Sequence, residues 1–184
     1  ISKILCNGYH QTQSEWGQPT SETYEGLNDY FGFKKSCQWK YVRFDKQGAG
    51  KNVGIRVIQP DHLLPAIRPT YEGLYKGGAT ISCPIQDIPK HETQMSDLGI
   101  ESTIGIKEME FESPSGETYI SSEIVYKGPD NIFVLGVTRP NIFIPIGPID
   151  ENIGIGGVAY SARCITETEN TIDFFEQVLE FEIR

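Results

Sequence analysis

The sequence predicts an α+β protein in which one small strand–helix–strand unit is used three times, the last copy cut off by the C-terminus. Two glycine-led openings match one another, Gly77-Gly78-Ala79-Thr80-Ile81-Ser82-Cys83 and Gly156-Gly157-Val158-Ala159-Tyr160-Ser161-Ala162-Arg163-Cys164, at an offset of about 79 residues. Each is followed by a polar turn, a stretch of helical periodicity and a second apolar strand. Three helix exits also match: Leu27-Asn28-Asp29-Tyr30-Phe31-Gly32-Phe33, Met95-Ser96-Asp97-Leu98-Gly99-Ile100 and Phe175-Glu176-Gln177-Val178-Leu179-Glu180-Phe181. Copies of so small a unit pack together to build one core and one site.

Taken in order, residues 1–10 read as a strand. Thr20 to Glu25 opens a helix with hydroxyl caps and acid in its first turn; Tyr24, Leu27, Tyr30 and Phe31 fall at helical spacing, and Gly32 stops it. Phe33 to Phe44 alternates as a strand, 45–50 is a hairpin turn, and Asn52 to Ile58 is the next strand. Residues 59–76 hold three prolines and read as a connector. The second unit then runs Gly77–Cys83 strand, Ile88–Leu98 helix with Gly99 as its stop, and Ser102–Glu112 strand. Ser113-Pro114-Ser115-Gly116 is a turn before strands at Thr118–Tyr126 and Asn131–Thr138. Arg139 to Asn152 reads as a crossover. Thr166 to Leu179 is the last helix, with Ile172, Phe175, Val178 and Leu179 on one face.

A net charge of -9 over 184 residues, with a pI near 4.8, repels phosphate backbones and anionic membrane surfaces, so no nucleic-acid partner and no membrane partner is expected. No apolar run approaches the roughly 20 residues needed to span a bilayer. Cys6, Cys37, Cys83 and Cys164 stand far apart without a C-x-x-C pair, which points to reduced, inert thiols and a cytoplasmic setting. There is no G-x-S-x-G nucleophile motif. Gly48-Ala49-Gly50-Lys51 follows a strand but lacks the spacing and the helix of a phosphate loop, and is a hairpin turn.

Two βαβββ half-modules in tandem, followed by the start of another, resemble the vicinal oxygen chelate superfamily: glyoxalase I, extradiol dioxygenases, methylmalonyl-CoA epimerase, and the bleomycin and fosfomycin resistance proteins. The likeness rests on Gly157-Val158-Ala159-Tyr160 with Thr171 to Glu182, similar to the family's opening strand and helix exit, and on Gly128-Pro129-Asp130-Asn131-Ile132-Phe133-Val134-Leu135, similar to the segment entering its last strand. Residues 1–60 fit only loosely. The resemblance implies a curved mixed sheet with helices on the outer face. It divides the chain into a first module at 1–140, a linker at 141–152 and the start of a second module at 153–184, with the natural chain continuing beyond. Glu180 departs from the family's Gly; either a left-handed stop with a Cβ costs about 1 kcal/mol, or that helix ends differently.

Metal-dependent members of the family hold a divalent ion with His or Gln on an opening strand and Glu on a closing strand. Carried across, those positions fall near Lys3, on Gly78 and Gly157, and on Val134 and near Gly54, none of which ligates a metal. The expectation is no metal and no cofactor in this segment, with any Fe, Mn, Ni or Zn held by a further C-terminal module. Of the three histidines, His10, His62 and His91, only His10 sits at a predicted strand end, where it would rim the sheet.

Alternation places Tyr119, Ser121 and Glu123 on one strand face, and Trp39, Tyr41, Arg43 and Arg56 on another. Ile104 and Ile106 differ in parity from Met109 and Phe111, which a bulge near Lys107-Glu108 would reconcile, leaving Glu108 and Glu110 in the cup or in solvent. His10, Arg43, Arg56, Glu110, Tyr119 and Glu123 are therefore the candidate ligand-binding residues, suited to a polar aromatic or a carboxylate; otherwise they form an exposed face of cross-strand charge pairs. The resemblance implies a glyoxalase- or dioxygenase-type protein acting on or binding a small polar or aromatic metabolite. The alternative is a metal-free protein that sequesters its ligand as bleomycin resistance proteins do. A third reading is a structural domain without a ligand. Self-association into a homo-oligomer is expected in the first two.

Overall fold

The computed structural model describes residues 1–18, 38–46, 54–61, 79–113, 115–128, 131–139, 149–163 and 165–181. The helix expected over 20–31, His62 and most of the 59–76 connector lie outside these residues. One complete βαβββ unit stands at their centre: β4 (Ala79–Pro84), helix α2 (Ile88–Asp97), β5 (Lys107–Glu112), β6 (Thr118–Lys127) and β7 (Phe133–Thr138). Strand β4 pairs parallel with β7, β7 antiparallel with β6, and β6 antiparallel with β5. The opening strand of the next copy, β10 (Tyr160–Arg163), adds antiparallel to the free edge of β4, with Tyr160 opposite Ser82. The result is a curved, mixed, five-stranded sheet in the order β10-β4-β7-β6-β5.

Helix α2 begins where Asp87 Oδ1 accepts the Lys90 backbone N–H at 2.9 Å, with Pro89 in the first turn, where a missing N–H costs nothing. It ends at Gly99, whose φ of 67° is the left-handed stop expected from the sequence. Ile88, His91 and Met95 recur at helical spacing and are its buried residues. They pack on Cys83, Ile85, Ile124, Tyr126 and Val134, which alternation puts on one face of the sheet. At Gly136 on this face a Cβ would run into Ile85 Cδ1, so glycine lets the helix side close on β7.

The N-terminal strand expected over 1–10 is instead a short π-helix, α1 (Lys3–Gly8), closed by the five-residue bond from the Tyr9 N–H to the Ile4 carbonyl at 3.0 Å. Ile4, Leu5 and Tyr9 are buried at i, i+1 and i+5, a helical stripe that strand alternation cannot produce. Gly8 lies where a Cβ would strike Met95 Sδ, which lets α1 rest on α2. A separate antiparallel sheet contains β1 (Thr12–Gln13), β2 (Trp39–Asp45) and β3 (Ile55–Pro60). Its core is Leu5, Val42 and Phe44, flanked by Ile55 and Val57. Strands β8 (Ile149–Asp150) and β9 (Ile155–Gly156) form a small hairpin, tied to the end of β2 by the Lys46–Asp150 ion pair at 3.6 Å.

The continuous strand expected over Ser102–Glu112 starts at Lys107; Gly105, at φ 71°, breaks it, and Ser102 makes only an isolated bridge to Tyr126. The parity change between Ile106 and Met109 therefore lies in a break and not in a bulge. After β10 comes helix α3 (Thr168–Asp173), which widens into a π turn over Phe174–Val178 and buries no residue. Glu180, at φ 54°, is the left-handed stop with a Cβ. Replacing Glu180 by Gly is expected to raise stability by about 0.5–1 kcal/mol, measured by urea unfolding, since glycine relieves the positive φ.

Candidate binding face of the five-stranded sheet

Alternation leaves the sheet a second face, opposite α2. The cross-strand register aligns Tyr160, Ser82, Leu135 and Val125 in one row, and Pro84, Val137, Glu123 and Lys107 in the next. Beyond these, Met109 pairs with Ser121, and Phe111 with Tyr119. Tyr119 and Phe111 stack with ring centroids 5.5 Å apart and planes 24° apart, and Phe111 is 42% exposed. Arg139 leaves the end of β7 with the parity of Val137, and its guanidinium carbon lies 5.1 Å from the centre of the Tyr119 ring.

Polar side chains gather on this face, Tyr119, Ser121, Glu123, Arg139, Ser82 and Tyr160 among them. Ser121 Oγ donates to Glu123 Oε1 at 3.3 Å. Burial raises the Glu123 carboxyl above its ordinary value, against the opposing pull of the Ser121 hydroxyl and of Arg139. Burial likewise raises the Tyr160 phenol; Ser82 lowers it, Glu123 raises it, Arg139 lowers it and Tyr119 raises it. Ser82 is fully buried opposite Tyr160, close enough for its hydroxyl to act on the phenol. Arg139 Nε is buried and has no hydrogen-bond partner among the described residues. A buried guanidinium nitrogen left unsatisfied on this face marks a place where an incoming group gains what the protein leaves open.

The structure brings together Tyr119 and Glu123 of the expected ligand-binding set and separates the other four. Glu110 pairs with Ile120, and Glu108 with Ser122, on the α2 side, so both carboxylates leave this face. Arg43 and Arg56 oppose each other on β2 and β3. Arg43 is held by Asp45 at 2.8 Å, and Arg56 lies 5.3 Å from the Tyr41 ring centre. His10 follows α1 at φ 52°, with its carbonyl accepting from Lys46 Nζ at 3.4 Å. Burial lowers its imidazole, Lys46 lowers it further, and Asp150 opposes both. The arginine of the site is Arg139, and its further hydroxyls are Ser82 and Tyr160, none singled out from the sequence. Their signal was parity: each alternates in step with the Tyr119–Glu123 face once the strand order is known.

Two of the positions where the resembled family places its metal ligands are Lys3 and Val134. Lys3 is in α1, and Val134 is fully buried on the α2 side of β7, facing away from this site. Among the described residues no three His, Cys, Asp or Glu side chains converge. No helix among them is long and apolar enough to cross a membrane. Cys6 and Cys83 are free thiols, and burial raises Cys83 to about 12, which keeps it an inert core residue.

No family model and no curated protein matches the chain. A solved structure of a "putative dioxygenase" from Bacillus subtilis subsp. subtilis str. 168 is similar to it with a TM-score of 0.50 at 12% sequence identity, covering 96% of this chain and 49% of that one. The likeness is one of fold. The chain spans about half the length of the structure that it matches.

Proposed function

We propose that the face opposite α2 binds a small aromatic carboxylate, in a protein of the dioxygenase-like class whose catalytic metal, if it uses one, is held outside the described residues. The observation that carries this reading is Arg139: a guanidinium over the Tyr119 ring, with its buried Nε unpaired, beside the Ser121–Glu123 pair. A guanidinium is a planar donor for a carboxylate, and Tyr119 and Phe111 offer ring faces for the aromatic body. Glu123, with its raised carboxyl, would hold or accept a proton on the ligand's polar edge. The dioxygenase class is supported by the fold neighbour, and function drawn from fold is analogy.

Binding without chemistry is a second reading. It is favoured by Gly157 and Val134 standing where the resembled family places metal ligands. Homo-oligomerisation and a cytoplasmic setting belong to either reading, as does the division of the chain at 140 and 153. Benzoate and benzyl alcohol, titrated calorimetrically, test the proposal. Benzoate is expected to bind saturably and at least tenfold more tightly than the alcohol, with Arg139→Met removing that preference. Equal affinities, or an unchanged preference in the variant, would sink it.

A further inference from the structure

The α2 side of the sheet carries a concavity. A cleft of about 530 Å³ lies between the first turns of α2, the β5–β6 side of the sheet, and the 151–155 turn. Isoleucines from three segments, Ile88, Ile106 and Ile153 among them, give it apolar walls. Its charged lining is unbalanced: Asp87, Glu108 and Glu151 against Lys90 alone. His91 also lines it. That side chain is 1% exposed, and neither ring nitrogen has a hydrogen-bond partner.

We propose that this cleft is a binding site for a small organic cation, a primary amine carried on a short apolar or aromatic body. The acidic lining selects positive charge, and the isoleucine walls take the body. His91 distinguishes the cleft from an ordinary acidic surface, because a buried imidazole without partners leaves hydrogen-bonding capacity for an occupant to fill. Burial, with a smaller contribution from His10, lowers His91 to about 4, so at neutral pH the imidazole is uncharged and adds no positive charge against a cation in the cleft. Asp87 Oδ1 already caps α2, and Glu108 Oε1 accepts from Ser122 Oγ at 3.4 Å, so the carboxylates are held in place. The site is independent of the Arg139 face, which has the opposite ligand preference.

The test uses phenethylamine, 2-phenylethanol and 3-phenylpropanoate, near-equal in body and different in charge, titrated at low salt with the intact chain. Phenethylamine is expected to bind saturably with 1:1 stoichiometry, at least tenfold more tightly than the alcohol. Glu108→Gln combined with Glu151→Gln is expected to weaken it at least tenfold. Both residues are exposed, so the variant folds, and an unchanged melting temperature checks this. Arg139→Met is expected to leave amine binding unchanged. Absence of saturable amine binding, equal binding of amine and alcohol, or full affinity in the double Gln variant would each overturn the proposal.

Discussion

Val134→Glu is expected to cost about 4 kcal/mol or more of folding stability, whereas Leu135→Glu, one residue along, is expected to cost markedly less. Val134 is fully buried between β4, β6 and α2, with Ile81 and Tyr126 as its strand partners and no cation among the core residues around it. A carboxyl placed there must stay protonated or remain unpaired in apolar surroundings. Leu135 is on the other face, in the row that includes Ser82 and Tyr160, close to polar company. Urea denaturation of both variants measures the difference. The comparison matters because the sequence resemblance puts a metal-binding Glu at Val134, while the strand register turns that side chain away from the candidate site.

Stability is expected to fall by about 2 kcal/mol as the pH is lowered from about 8 to about 5, and His91→Leu is expected to flatten most of that slope. His91 is packed in the core, with its ring 4.8 Å from Tyr9 and 5.7 Å from Tyr126. Burial is the main cause of its lowering from 6.5 to about 4, and His10 adds to it. The sign follows directly. Between about 4 and 6.5 the unfolded chain binds a proton that the folded one refuses, so acid favours unfolding; above 6.5 neither state binds it, and the stability is fully present. His10 is lowered too and acts in the same direction from a more exposed position. Glu123 is raised and acts in the opposite sense, with folded protein binding the proton first, but only from the carboxylate range upward to its folded value. Denaturant midpoints across this pH range read the slope, and an equal slope in His91→Leu would show that His91 is not its source.

The second repeat unit was legible because its local signals agree with its packing. Asp87, Pro89 and Gly99 punctuate α2, and each does in the structure what its chemistry implies. Glu180 drew notice only against the resembled family's glycine, and its φ of 54° settles which of the two expected helix endings occurs. The N-terminus was not, since Ile1, Ile4, Leu5 and Tyr9 were read as a strand when their spacing is helical. Of the site, Tyr119 and Glu123 were found by alternation along one strand. Ser82 and Tyr160 were out of reach, because they join that face through β4–β7 and β4–β10 pairings far apart in sequence, and Arg139 lies just past the end of β7. Arg43 and Arg56 lie on the separate β1-β2-β3 sheet, away from that face.

The central claim is that the face opposite α2 takes an aromatic carboxylate, and mapping backbone amide shifts by NMR during a benzoate titration tests it most directly. The expected result is saturable shifts centred on Tyr119, Ser121, Glu123, Arg139 and Tyr160. Shifts confined to the α2 side, around residues 86–91 and 151–155, or no saturable shifts at all, would contradict it.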